Sequence, residues 1–237
     1  MEYANMFYDQ TIITGDNMSF QTWGGIEQIK NALWGADPSA LITLGNHDMM
    51  QRMSGLYPET TALDSRYSTL QENWRHDIYY SSRVIKDKVI VVQMDNALSQ
   101  YWEGQAEKLA ADIEKARKNG YIILIFQHVP IMTNNPECSE LRPLITDDDT
   151  VVYDFSKNDG FDGVRTNRND LTTEVYNLIT QNADVIKGLF CGHYHDDLYC
   201  EVKATTPDGT ETVIPQYVAN TTAYNSGIGS ALKITVK

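Results

Sequence analysis

Several things are scarce in this chain, and each scarcity excludes something. Cysteine occurs only 3 times in 237 residues, at Cys138, Cys191 and Cys200, which rules out a disulfide framework. A single Cys138–Cys200 bridge stays open, while Cys191, inside an apolar run, reads as a small buried hydrophobe. No apolar run reaches the roughly 20 residues that a membrane-crossing helix requires. The opening MEYANMFYDQ has the make-up of neither a signal peptide nor a transit peptide. As given, the chain is therefore expected in the cytoplasm, and exported only if a leader lies upstream. Basic residues are few: 19 Lys and Arg face 32 Asp and Glu, for a net charge of −13. That balance argues against general binding to nucleic-acid backbones or anionic lipid, both of which select a basic surface. It leaves phosphate chemistry open, because bound cations can supply local positive charge.

What is present reads as an ordinary globular α/β domain, with 42% apolar and 22% charged residues. No repeat, low-complexity tract or linker divides it, so residues 1–237 are expected to form a single domain. Leu41-Ile42-Thr43-Leu44 is a short buried strand that stops at Gly45 and hands the chain to Asn46, His47 and Asp48. Upstream, Thr11 to Thr14 is a β-branched run stopping at Gly15-Asp16, and Ile26, Ile29, Leu33 and Trp34 between the two follow helical spacing. Strand, helix and strand in that order imply a parallel pair. Residues 49–78 read as a long excursion with short helical pieces. Ile78 to Ser82 and Lys88 to Met94 read as strands joined at Lys86-Asp87, with Asp95-Asn96 at the end of the second.

Gly104 to Asn119 is the clearest helix, with Gly120 as its stop. Tyr121 to Phe126 is a continuous apolar strand of the doubly covered kind and ends at Gln127-His128. Residues 129–168 form a long irregular loop, Asn169 or Asp170 can cap a helix reaching about Asn182, and Asp184 to Cys191 is another buried strand ending at Gly192-His193-Tyr194-His195. Leu198 to Ala204, Thr212 to Val218 and Ala231 to Val236 read as antiparallel strands that form a second layer, with a turn at Pro207-Asp208-Gly209.

Of the five histidines, His47, His128, His193 and His195 come directly after apolar strand-like runs. Asp16 and Asn46 stand at equivalent places. In an open α/β sheet the ligand crevice lies beyond the carboxyl ends of the strands, so a parallel sheet would bring these groups to one edge. Imidazole nitrogens with carboxylate and amide oxygens suit borderline divalent metals such as Zn, Mn and Fe. The remaining polar clusters read as bland: His76 as solvated surface, Asp147-Asp148-Asp149 as an exposed acidic loop, and Trp74, Tyr79 and Tyr80 as packing.

Taken together, Gly15-Asp16, Gly45-Asn46-His47-Asp48, His128 and Gly192-His193-Tyr194-His195 resemble four of the five signature blocks of the calcineurin-like metallophosphoesterases, in the family's order. The segment before Gly192 and the GHYHDD stretch look most like the branch related to purple acid phosphatases. The resemblance implies a mixed α/β/β/α sandwich and a dinuclear metal centre. It implies hydrolysis of a small phosphate ester by in-line attack of a metal-bound hydroxide. It makes Asp16 the bridging ligand, adds Asn46, His128 and His193 to one metal site, and gives His195 to the other. It places His47 beside the substrate as the acid for the leaving oxygen, oriented by Asp48.

Two departures from the family pattern stand out. The first block, an Asp-x-His after an earlier strand, is absent, and Ser19 stands where the second block usually has another acid. The second metal site then keeps only Asp16 and His195, fewer than the three protein ligands that tight binding usually takes. Three explanations are open: a true start upstream of Met1, a fragment, or a natural single-metal or inactive relative. The expectation is one well-formed metal site and impaired hydrolysis.

Overall fold

The computed structural model describes residues 8–50, 63–98, 100–131, 144–145, 151–152, 168–195, 197–220 and 231–236. In chain order, β1 (Ile12–Ile13) is followed by α1 (Trp23–Gln28), whose first turn is capped by the Thr22 hydroxyl accepting the Gly25 N–H at 3.0 Å. This helix widens into a π-helical stretch, Ile29–Leu33, and closes with α2 (Trp34–Ala36). Next come β2 (Leu41–Ile42), the one-turn helix α3 (Asn46–Met49) and α4 (Leu63–Asn73). Then follow β3 (Tyr80–Ile85), β4 (Val89–Met94), α5 (Gln105–Asn119) and β5 (Ile122–Phe126). The two-residue strands β6 (Leu144–Ile145) and β7 (Val151–Val152) pair with each other. The chain continues with α6 (Arg168–Thr180), β8 (Ile186–Cys191), β9 (Leu198–Thr205) and β10 (Glu211–Val218).

The strands form two main sheets. β1 and β2 pair in parallel, Ile12 beside Leu41 and Ile13 beside Ile42. The larger sheet has the order β3-β4-β5-β8-β10-β9, with β4, β5, β8 and β10 parallel and the outer strands β3 and β9 antiparallel to their neighbours.

Side-chain alternation along the central strands shows how the layers stack. On β4, Val89 and Val91 face one way and Ile90, Val92 and Met94 the other; on β5, Leu124 and Phe126 oppose Ile123 and Ile125. The first set meets Leu41 and Ile12 of the small sheet, and the second set meets Leu109, Ile113 and Ala116 of α5 and Val175 and Ile179 of α6. On its outer side the small sheet, through Ile13, Ile42 and Leu44, packs on Ile26, Ile29 and Trp34 and on Tyr67 and Leu70 of α4. The four layers are thus helix, sheet, sheet, helix, as expected for an α/β/β/α sandwich. A register shift between β5 and β8, where Ile123 pairs with Ile186 but Leu124 with Gly188, absorbs one residue at Lys187. It keeps Phe190 stacked on Phe126, ring centroids 4.9 Å apart.

Several expectations need correcting. The C-terminal hairpin β9–β10 does not form the second layer; β10 lies parallel against β8 and extends the large sheet, while β1 and β2 make the second layer. Ala231 to Val236 is not a strand. Alternating apolar residues favour a strand only when a neighbour offers a ladder and a surface to pack on, and here Leu232, Ile234 and Val236 are exposed. The helix near Asn169 begins one residue earlier, at Arg168, so Asn169 and Asp170 fall inside its first turn. His76 is not solvated: it is half-buried, its Nε2 accepts the Ile42 N–H at 3.1 Å, and its Nδ1 meets the Asp77 carbonyl at 3.0 Å. It completes the edge of β2 turned away from β1 with a side chain in place of a strand. Trp74, Tyr79 and Tyr80 do pack, Trp74 edge-on to Trp34 and Tyr79 stacked on Tyr67. Cys191 is buried. The Cys138 bridge and the Asp147-Asp148-Asp149 cluster lie outside the described residues. Among the described residues no helix is long and apolar enough to cross a membrane.

Candidate metal centre

The groups singled out in the sequence converge from both sheets, not from one edge of a single sheet. β1 and β2 deliver Asp16 and Asn46, and β5 and β8 deliver His128 and His193. Face-to-face packing with the carboxyl ends on the same side brings the four together.

Local backbone makes the approach possible. Gly15 and Asp16 both take left-handed φ values, 93° and 54°, a pair that turns the chain sharply after β1 and that non-glycine residues rarely adopt. The turn sends Asp16 back under Gly45. A Cβ on Gly45 would lie 2.2 Å from both Asp16 N and Asp16 Oδ1, so only glycine permits this contact. A Cβ on Gly15 would meet His128 Nδ1 at 2.5 Å. Asp16 Oδ1 then accepts the His47 N–H at 2.9 Å, and Oδ2 is left facing His128 Nε2 at 3.4 Å.

His128 is anchored at its other nitrogen: Nδ1 donates to the Thr14 carbonyl at 2.7 Å, which leaves Nε2 as the acceptor in the neutral ring. Nε2 lies 3.1 Å from Asn46 Oδ1 and 3.2 Å from His193 Nδ1, and His193 Nδ1 is also 3.1 Å from Asn46 Oδ1. Four atoms that can each offer a lone pair, His193 Nδ1 in the tautomer protonated at Nε2, therefore face one another, an arrangement that is repulsive unless a proton or a cation sits among them. Ligands about 2.1 Å from a four-coordinate zinc lie roughly 3.4 Å from each other, and the spacings here match. The nitrogen–oxygen donor set without thiolate fits a borderline divalent cation, so the residues present fit the expected metal.

The charges agree with this picture. Burial resists the Asp16 charge, but His128 and the His47 N–H outweigh it and hold the carboxyl at about 2. Burial likewise opposes a charge on His128, yet Asp16 and the Thr14 carbonyl raise its pKa overall. Burial, and after it repulsion from His128, drives His193 down to about 3. A bound cation would have to displace whatever proton these atoms share.

His195, expected as a ligand of a second metal, lies outside the cluster formed by Asp16, His128 and His193. Its backbone takes a left-handed φ of 56°, two residues after His193 at 77°, and it is near enough to help lower the His193 pKa. Among the described residues no second group of three His, Cys, Asp or Glu ligands occurs. His47 stands half-buried beside the cluster, with Nδ1 3.3 Å from the Ser19 carbonyl.

Asp48 does not orient His47, contrary to expectation. Its Oδ2 accepts from Gly45 N and Asn17 Nδ2, both at 2.8 Å, and its Oδ1 from Met18 N at 3.0 Å. Sitting at the third position of α3, it reaches back to the residue before the helix, as acidic residues there commonly do, and ties the Asp16 loop to the Asn46 helix. Sequence reasoning passed over Asn96, Gln127 and Gln216, which brace the His128 segment. Asn96 was visible as a polar residue at a strand end, but nothing in its spacing tied it to His128.

A buried carboxyl beneath the site has a measurable consequence. Asp95 Oδ1 accepts Ala97 N–H at 2.9 Å and Oδ2 accepts the Trp102 indole N–H at 2.8 Å. Burial outweighs these bonds and pushes it up to about 7, above the ordinary 3.8. From about pH 4 to about pH 7 the unfolded chain has released a proton that the folded chain keeps, so this group makes stability fall as pH rises through that window. Burial raises Asp48 in the same direction, to about 6. Thermal melts in chelator should therefore give an Asp95→Asn variant a flatter dependence of Tm on pH across this window than the parent chain.

No protein-family model matches the chain, and no curated protein matches it in sequence. Solved structures do match it. One is a purple acid phosphatase from yellow lupin (Lupinus luteus) seeds, with a TM-score of 0.54 at 12% identity, covering 99% of this chain and 40% of the lupin chain. Another is a dimetal phosphatase from Danio rerio, with a TM-score of 0.53 at 11% identity, covering 92% of this chain and 74% of that one. The chain thus spans well under half of the lupin enzyme and about three quarters of the zebrafish one. At such low identity the likeness concerns architecture, and this chain shares its fold with these two phosphatases.

Proposed function

We propose that this protein is a metal-dependent phosphoesterase acting on a small phosphate ester, with Asp16, Asn46, His128 and His193 holding a divalent cation. The observation that carries this reading is the convergence of four lone-pair atoms, from two separate sheets, at the mutual spacing of ligands around one cation. A divalent cation bound there would supply positive charge for the phosphate oxygens and acidify a water for attack on phosphorus. The rest falls to side chains of this chain. Asp16 supplies the negative charge that makes cation binding favourable, and its Oδ1 fixes the start of α3 through the His47 N–H. His47 is the candidate acid for the departing alcohol oxygen, being half-buried at the rim of the cluster and carrying an imidazole, the side chain most often used for proton transfer.

A second reading is a cation- or phosphate-binding relative without turnover. It is favoured by the single ligand cluster among the described residues and by the position of His195 outside it. The two are separated by release of p-nitrophenol from p-nitrophenyl phosphate with added Mn²⁺. A phosphoesterase turns over, and His47→Ala lowers kcat by at least about 100-fold while leaving metal content unchanged. A chain that holds Mn²⁺ but shows no turnover supports the second reading instead.

A further inference from the structure

The residues around His128 leave the sheet, yet their backbone polar groups are engaged. β5 ends at Phe126, and the ladder to β8 runs two bonds further, from Gln127 N to the Phe190 carbonyl at 3.0 Å and from Gly192 N to the His128 carbonyl at 2.9 Å. Beside it, side-chain amides take over. Asn96 Oδ1 accepts the His128 N–H at 3.1 Å and the Val129 N–H at 2.9 Å, while Asn96 Nδ2 donates to the Val129 carbonyl at 2.8 Å. Gln127 Nε2 donates to the same carbonyl at 3.0 Å. Gln216, reaching over from β10, accepts the Ile131 N–H at 2.8 Å and donates to its carbonyl at 2.6 Å. All three amides are buried. In effect they replace a missing strand, and they let the chain curve while its buried N–H and carbonyl groups stay paired.

We propose that Asn96 is a positioning residue for the cation site, setting the direction of the His128 imidazole. This rests on the reading of His128 as a ligand given above. Asn96 grips the peptide of His128 itself, whereas Gln216 acts three residues further on. The residue is then held at three points, its N–H by Asn96, its carbonyl by Gly192 N and its Nδ1 by the Thr14 carbonyl, so that Nε2 faces the cluster. Asn96 is in turn aimed by its neighbours. Asp95 bonds Ala97 N and the Trp102 indole, and Gln105 Nε2 donates to the Asp95 carbonyl at 2.9 Å. Without Asn96, two buried N–H groups lose their acceptor, and the peptide must turn to find another, carrying the ring with it.

Asn96→Ala should weaken Co²⁺ binding by about 10- to 100-fold, the effect usual for residues that orient a metal ligand, and should shift the visible absorption of the bound Co²⁺. Gln216→Ala removes comparable backbone bonds from the same buried segment and should lower Tm with little change in Co²⁺ affinity. Equal weakening by the two variants, or wild-type Co²⁺ affinity and spectrum in Asn96→Ala, would overturn the proposal. If Asn96→Ala does not fold, Asn96→Ser, which keeps a shorter acceptor, should show the same spectral shift at smaller size, and an unshifted spectrum counts against it. A reading without any cation is available from ring ¹⁵N shifts of the metal-free protein. In the wild type the His128 proton should reside on Nδ1 when the ring is neutral; in Asn96→Ala it should redistribute between the two nitrogens, and unchanged shifts would refute positioning. A wild-type chain that binds no cation would sink the proposed function while leaving this measurement decisive for Asn96.

Discussion

Asp16→Asn should weaken divalent-cation binding by at least about 100-fold, more than the loss usual for a residue that only orients a ligand, and should abolish the turnover proposed above. The carboxylate has two jobs, and the substitution separates them. An asparagine oxygen can still accept the His47 N–H, now accepted by Oδ1 at 2.9 Å, so the entry into α3 is kept. The other position becomes an NH₂ facing His128 Nε2, where Oδ2 now lies at 3.4 Å. A donor there satisfies the imidazole lone pair and removes the negative charge that attracts a cation. The metal-free variant should therefore melt near the parent temperature in chelator, while calorimetric titration with Mn²⁺ shows the loss. The same change should lower the His128 pKa, since Asp16 is what holds it up against burial. Parent-like Mn²⁺ affinity in this variant would remove Asp16 from the ligand set.

Gly45→Ala should damage fold and site together. Its Cβ would sit 2.2 Å from Asp16 N and Oδ1 and 2.8 Å from Asp16 Cγ. Two of these atoms belong to a carboxylate already committed to His47 and the cluster, and the third is backbone. Nothing can yield cheaply, so β1 and β2 must separate at their carboxyl ends. Overpacking of this kind costs about 1–3 kcal/mol, occasionally more, and here the displaced group is the proposed metal ligand. Denaturant unfolding should show the lost stability, and cation titration of the folded fraction should show lost affinity. A variant as stable as the parent and with unchanged affinity would mean that the Asp16 turn and Gly45 are not in contact in solution.

Much of this arrangement is legible in the sequence. The strands that end at Asp16, Asn46, His128 and His193 announce themselves by short apolar runs, each cut off by glycine or a polar residue. α5 announces itself by its spacing, ending at Gly120 with a left-handed φ of 69°. Both are local signals, carried by the period of the side chains and by the conformations that glycine alone tolerates. What local pattern could not say was which sheet each strand joins. The β4 and β5 runs are apolar on both faces because a sheet covers one face and helices the other, and such a run looks the same in either sheet. The C-terminal hairpin alternates buried and exposed side chains and carries no mark of the β8 edge it joins, and the alternation of Ala231 to Val236 has no ladder to serve. The resemblance pairs Asp48 with its sequence neighbour His47, whereas the carboxylate turns back to Gly45, Asn17 and Met18.

By itself, then, the sequence determined the chemistry available: oxygen and imidazole donors placed where strands stop, few thiols, little positive charge, and glycines at the sharp turns. Those are properties of single residues and their near neighbours, and they survive any rearrangement of the layers. Only the tertiary structure decided which donors meet. Packing two sheets face to face with their carboxyl ends aligned joins Asp16 and Asn46 to His128 and His193 and leaves His195 outside that cluster. It also recruits Asn96, whose contact with His128 spans 32 positions of the chain. Distances of that kind are set by how buried faces fit together, and no periodicity within one strand records them.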